Sequence, residues 1–319
     1  MIDTDISSPS FALLSAALGS LVWLVAVITR ALVTVETLLA LAILVFVPVA
    51  LHLVATPLRS GGHPAWYRLA VFAQFPAGIL AVVSIAISQG STAGLLALPW
   101  MFVTVCIAFF GLIRLLPRGS RPTEETYIDV GLVYVPVGGA GLLLNRLGIA
   151  PFDFPDVIIL LTGVHFHYAA FLLPVFVGLA GRMLANEKAK STYSRLLPAF
   201  AITPVFIATG LTFSPVVEVI AVSVFVVVVI ALSVIALFKV VPRLERLPAL
   251  FVGLSFVSLV PAMVLAFAYG YSEFTGDFAL SIPTMVTTHG VFNALGFALF
   301  GTVGWLLVNT SSHDTEDKT

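Results

Sequence analysis

Two histidines, His165 and His167, stand in the apolar stretch "LLTGVHFHYAAFLLP" (residues 160–174), and His289 stands with Asn293 in a second apolar run near the C-terminus. Imidazole in hydrocarbon is costly, so each of these residues is a candidate for function. Three chemistries suit the set. Three histidines that leave a coordination position open would hold zinc, iron or copper and activate water or oxygen, with Asn293 behind the ligands or on the substrate. Without a metal, an imidazole ionising near neutral pH can donate a proton to an isoprenoid or sterol-like substrate. His167 or His289 would then be the acid, and Asn293 would orient the substrate. A histidine from each run could instead hold a haem, bound non-covalently because no Cys-x-x-Cys-His attachment signature occurs. The Glu-x-x-His pattern of helical di-metal sites is also absent.

Spacing constrains these readings. Residues two apart on an α-helix point about 200° apart, so His165 and His167 face one ligand only if the helix is distorted. Gly163 before the pair and Pro174 after it make room for such a distortion. His289 and Asn293 are four apart and share a face, and "TTHG" (287–290) adds Thr288 and a glycine that permits close helix approach. His165 follows Val157, the start of its apolar run, by eight residues, and His289 follows Ile282 by seven. At 1.5 Å per residue both lie about 11–12 Å into the hydrocarbon. The expectation is one site between the two helices, with ligands His165, His167 and His289 if a metal is bound. Glu36, Glu218, Glu273 and Asp277 would lie above that layer. His52 and Gln74 read as packing groups.

The elements that must position these groups are membrane helices. Of 319 residues, 60% are hydrophobic and 10% charged, against about 25% charged in ordinary soluble domains. Ten apolar spans are read at 11–29, 34–56, 67–88, 94–116, 127–149, 155–180, 195–213, 215–240, 248–270 and 281–307. The weakest break is "TFSP" (212–215), between spans seven and eight. The fold class is an all-α integral membrane protein, one polytopic domain over residues 1–310 followed by a polar tail, 311–319. A single cysteine, Cys106, excludes an intrachain disulfide. The acidic N-terminus (Asp3, Asp5) is unlike a cleavable signal, so the first apolar run is read as a span.

Cations set the orientation. Arg59, Arg68, Arg114, Arg118, Arg121, Arg182, Lys188, Lys190, Arg195, Lys239, Arg243, Arg246 and Lys318 fall at one face, and only Arg30 and Arg146 at the other. This division puts both termini in the cytoplasm and the protein in the cell membrane. The partners expected are the bilayer and a lipophilic small molecule. The net charge of −1 gives nucleic acid no footing.

The segments "HFHYAAF" (165–171) and "THGVFNALGF" (288–297) resemble the YndJ-like family of polytopic bacterial and archaeal membrane proteins. The resemblance implies a multi-pass protein and marks His165, His167, His289 and Asn293 as the positions to watch. Members are often labelled transporters, with no reaction attached to that label.

From the residues themselves, an intramembrane enzyme acting on a lipophilic substrate, metal-dependent or not, is the favoured function. A proton-coupled transporter is the alternative, with Glu36, Glu218 and the histidines on one half of a path and His52, Gln74 and Asp129 on the other. Ten spans also permit a five-plus-five inverted repeat, but no features match between the halves.

Overall fold

Hydrocarbon offers no water to satisfy backbone N–H and C=O groups, so apolar runs of about twenty residues must close their hydrogen bonds internally as helices. The computed structural model describes residues 7–56, 62–277 and 280–316. It contains ten helices long and apolar enough to cross a membrane: α1 Ser8–Ile28, α2 Thr34–Leu53, α3 Ala65–Ala86, α4 Ser91–Arg118, α5 Thr123–Leu147, α6 Asp156–Arg182, α7 Glu187–Phe213, α8 Pro215–Arg243, α9 Arg246–Thr275 and α10 Ile282–Thr310. Every regular element among the described residues is helical. Asp3, Asp5, Arg59 and Lys318 lie outside the described residues, as do the side chains of the tail.

Helix ends match the expected spans where the sequence is apolar and overrun them where it is polar. α7 starts at Glu187 rather than 195, because Asn186 caps it by accepting the Ala189 N–H at 2.9 Å. "TFSP" is a true break: Ser214 is extended, accepts the Val217 N–H at 3.4 Å, and hands over to Pro215 at the first position of α8.

The chain divides into two compact units. The first comprises α1 to α4, α5 from Ile128, and α6 as far as Val175. Within it, Trp23 Nε1 donates to Thr37 O at 2.9 Å and ties α1 to α2, and His52 Nδ1 reaches Pro9 O at 3.0 Å between the same helices. Tyr67 donates to Leu51 O at 3.0 Å, and Ser84 to Ala93 O at 2.6 Å. The second unit comprises residues 120–127, α6 from Phe176, and α7 to α10. There Arg182 grips Glu125 bidentately at 2.6 and 2.9 Å. α10 packs closely on α9: a Cβ at Gly304 would fall 2.8 Å from Val252 N, so only glycine fits.

Several helices change pitch. Residues Ala42–Phe46 of α2, Tyr168–Leu172 of α6 and Ala236–Val240 of α8 are π-helical, and Pro48, Pro174 and Pro242 follow two residues after each segment ends. Proline donates no N–H to the carbonyl four residues back, and its ring presses on that carbonyl. One wide turn, closed by Val47 N–H to Ala42 O, Leu173 N–H to Tyr168 O and Val241 N–H to Ala236 O, shifts the ladder ahead of the ring. Pro76, Pro136 and Pro261 sit within α-helical turns, so proline permits the wide turn without imposing it. α10 departs furthest: Val286–Gly290 and Phe292–Leu299 are both π-helical with no proline after them.

Candidate functional site

His167 lies in the first unit, 1% exposed, at the last α-helical position of α6 before its wide turn. Its Nδ1–H donates to Gly163 O at 2.7 Å, and its Nε2 accepts the indole N–H of Trp100, on α4, at 3.1 Å. The two rings lie nearly parallel, 24° apart, with centroids 5.9 Å apart. Gly138 of α5 backs onto the imidazole, since a Cβ there would stand 2.7 Å from Nδ1. A carbonyl can only accept and an indole N–H can only donate, so these partners fix a neutral tautomer with both nitrogens in use. Next to it, Tyr168 donates to Leu38 O of α2 at 2.9 Å and meets Phe46 edge-on at 5.7 Å, so the wide turns of α2 and α6 pack together.

His165 points elsewhere. Its side chain is exposed, and its Nδ1 lies 2.8 Å from Leu161 O of its own helix. The helical angle between residues two apart thus holds here, because the wide turn begins only after the pair. Glu36 is half-buried and closes the N-terminus of α2, its Oε2 accepting the Val33 N–H at 3.0 Å.

The second unit holds His289 and Asn293. His289 Nδ1–H donates across to Ala262 O of α9 at 2.8 Å, which leaves Nε2 as the basic nitrogen. Asn293 Nδ2 lies 3.1 Å from that Nε2 and 2.8 Å from His289 O, so the two residues form one bonded pair on the π-helical stretch of α10. Both are half-buried. Thr288 donates to Thr284 O at 2.6 Å within α10. Glu218 sits half-buried in the first turn of α8, within electrostatic range of Glu273, which accepts from Tyr269 at 2.9 Å.

Among the described residues, no three His, Cys, Asp or Glu side chains are grouped so as to hold a metal ion. Reasoning from sequence did not find the partners that define each imidazole, Trp100 and the Ala262 carbonyl. A mid-span tryptophan was a signal for the first, because an indole N–H in hydrocarbon needs an acceptor. It also left Asp129 unpaired. In the structure Asp129 is wholly buried and bridges Arg114, at 2.7 Å, and Arg118, while Arg114 also donates to Val54 O and Thr56 Oγ1 at 3.0 Å each. Two of the counted surface cations are therefore partners of one internal carboxylate.

Both pitch changes around the candidate residues fall on the segments that carry the family resemblance, 165–171 and 288–297. Residues 37–297 match the YndJ-like protein family. The chain is similar to the "Uncharacterized membrane protein YndJ" of Bacillus subtilis (strain 168), 31% identical over 288 residues, which are 88% of this chain and 50% of the relative. It thus spans about half the length of that curated relative. No solved structure matches the chain. With the family match running from α2 into α10, the chain belongs to the YndJ-like family of multi-pass membrane proteins.

Proposed function

We propose that this integral membrane protein carries an intramembrane acid–base site for a lipophilic substrate, centred on His289 and Asn293 and needing no metal. The observation that carries the reading is the fixed tautomer of His289. Its Nδ1–H is held by Ala262 O, so Nε2 is the nitrogen that takes or returns a proton, and Asn293 lies directly against it. The pair is half-buried on a π-helical stretch that no following proline accounts for, and such wide turns recur at functional sites. The chemistry that fits is proton transfer to or from a hydroxyl or an alkene of an isoprenoid or sterol-like molecule. Asn293 would orient the substrate.

His165, exposed on α6, is a secondary contact in this reading. His167 is a positioning residue, because it is 1% exposed and joins Gly163 to Trp100 on a neighbouring helix, whereas His289 and its partner Asn293 are only half-buried. The set His165, His167 and His289 as metal ligands finds no support in the hydrogen bonding of His167 and His289. Glu36 caps α2 and Thr288 bonds within α10, and this reading gives neither a chemical role.

Both termini are assigned to the cytoplasm of a cell in whose plasma membrane the protein sits. Of the two cations at the opposite face, Arg146 is 5% exposed and bonded to the Ile87 and Asn145 oxygens, so it does not act as a loop cation.

The test is photolabelling in nanodiscs with a diazirine-bearing prenyl alcohol. Label concentrated on α9–α10 peptides and displaced by Asn293→Leu supports the reading. Label spread evenly over lipid-exposed helices contradicts it.

A further inference from the structure

Mid-helix hydroxyls in this protein turn back onto their own helix. Thr203 donates to Ala199 O at 2.8 Å, Ser233 to Val229 O at 2.8 Å and Thr288 to Thr284 O at 2.6 Å. Thr302 of α10 departs from this habit. It is 4% exposed, and among the described residues its Oγ1 has no hydrogen-bond partner. The carbonyl four residues back, at Ala298, belongs to the π-helical stretch Phe292–Leu299, whereas Thr302 stands on the regular α-helix that begins at Phe300. The change of pitch between them takes that carbonyl out of the usual alignment.

One turn further along, Trp305 is in the same condition. It is 3% exposed, and its indole N–H finds no acceptor among the described residues. Trp23 and Trp100 show what that N–H ordinarily requires, the first donating to Thr37 O at 2.9 Å and the second to His167 Nε2 at 3.1 Å. Residues three apart on an α-helix have Cβ atoms about 5–6 Å apart, so one small molecule can bridge Thr302 and Trp305. Each of the two follows a glycine that packs on α9. A Cβ at Gly301 would stand 2.7 Å from Ser255 Oγ, and one at Gly304 would stand 2.8 Å from Val252 N. The pair is thus at the edge of the closest contact between the two helices, within the second unit.

We propose that Thr302 and Trp305 hold an internal water molecule. Two buried donors on successive turns, both in want of an acceptor, are the pattern that enclosed water satisfies. Its own hydrogens can go to backbone carbonyls, each of which accepts two donors. A lipid headgroup offers the same acceptor chemistry but does not reach groups so nearly enclosed. The site is separate from His289 and Asn293, and neither proposal depends on the other.

The experiment is X-ray radiolysis of the full chain in detergent and in nanodiscs, with oxidation of each tryptophan read by peptide mass spectrometry. Radicals made in bulk solvent do not reach enclosed side chains, but a bound water generates them in place. Trp66, 37% exposed, sets the open level, and Trp100, 0% exposed and already paired, sets the closed one. Trp305 is expected to oxidise about ten-fold faster than Trp100 despite its similar burial. Thr302→Val, which keeps the shape and removes the hydroxyl, should lower the Trp305 rate about five-fold, and Thr302→Ser should retain it. A Trp305 rate as low as that of Trp100 overturns the proposal, and that comparison needs no variant to fold. A rate unchanged in Thr302→Val overturns it as well, because the water would then not be shared. Oxidation of Trp305 seen in detergent and lost in nanodiscs would give the acceptor role to a lipid, which also overturns it.

Discussion

The imidazole of His167 accepts the indole N–H of Trp100 at 3.1 Å while donating to Gly163 O at 2.7 Å, so one side chain joins α4 to α6 and uses both its nitrogens. His167 is also the last α-helical residue before the wide turn of α6. Trp100→Phe keeps the ring packing and removes the donor. Interhelical hydrogen bonds of this kind are worth about 0.6–2 kcal/mol in membranes, and a loss of that size is expected in equilibrium unfolding of the purified protein. An unchanged midpoint would show that the bond carries no weight.

Asp129 should matter more. Its carboxylate is buried and shared by Arg114 and Arg118. Asp129→Asn preserves shape and leaves two arginines without their counter-charge, and removing one partner of a buried pair costs about 3–5 kcal/mol. Expression and detergent stability should fall together. Arg118→Gln, at the more exposed of the two arginines, should cost less than Asp129→Asn.

Gly138→Ala tests the packing behind His167. A Cβ there would stand 2.7 Å from the ring nitrogen, so the imidazole must shift and its bonds to Gly163 O and Trp100 are disturbed. Because crowding and loss of the hydrogen bond act on one side chain, the double variant with Trp100→Phe should lose less stability than the two single losses combined. Strict additivity would separate the two contacts.

Orientation is open to direct labelling. Cys106 is buried, and a Cys106→Ala background frees the chain for single introduced cysteines. A cysteine at Phe152, an exposed loop position, should react with an impermeant maleimide from outside intact cells. One at Ser7 or Thr310 should react only after lysis. Reversed accessibility would invert the assignment.

The number and class of the helices could be read from hydropathy alone, because each apolar run must satisfy its backbone within itself. The helix break at Ser214–Pro215 was equally readable, since a capping residue followed by proline is a local signal. At the site, the four-residue spacing put His289 and Asn293 on one face, where they bond. The two-residue spacing left open whether His165 and His167 diverge or a distorted helix turns them together, and the expectation of one shared ligand set leaned on the distortion. What the sequence hid is non-local. Nothing near His289 points to a carbonyl at Ala262, and nothing near Asp129 points forward or back to Arg114. The wide turn of α10 was equally hidden, because no following proline marks it.

The most direct test of the acid–base reading is substrate turnover. Purified protein in nanodiscs would be given a total lipid extract, and lipids consumed and formed would be followed by mass spectrometry, with His289→Asn beside the wild type. Asparagine can keep the bond to Ala262 O while removing the basic Nε2, so the fold should survive. We predict conversion of an isoprenoid or sterol-like lipid by the wild type and a loss of about a hundredfold or more in His289→Asn. Conversion at an unchanged rate in that variant, or no lipid altered by the folded wild type, would contradict the account.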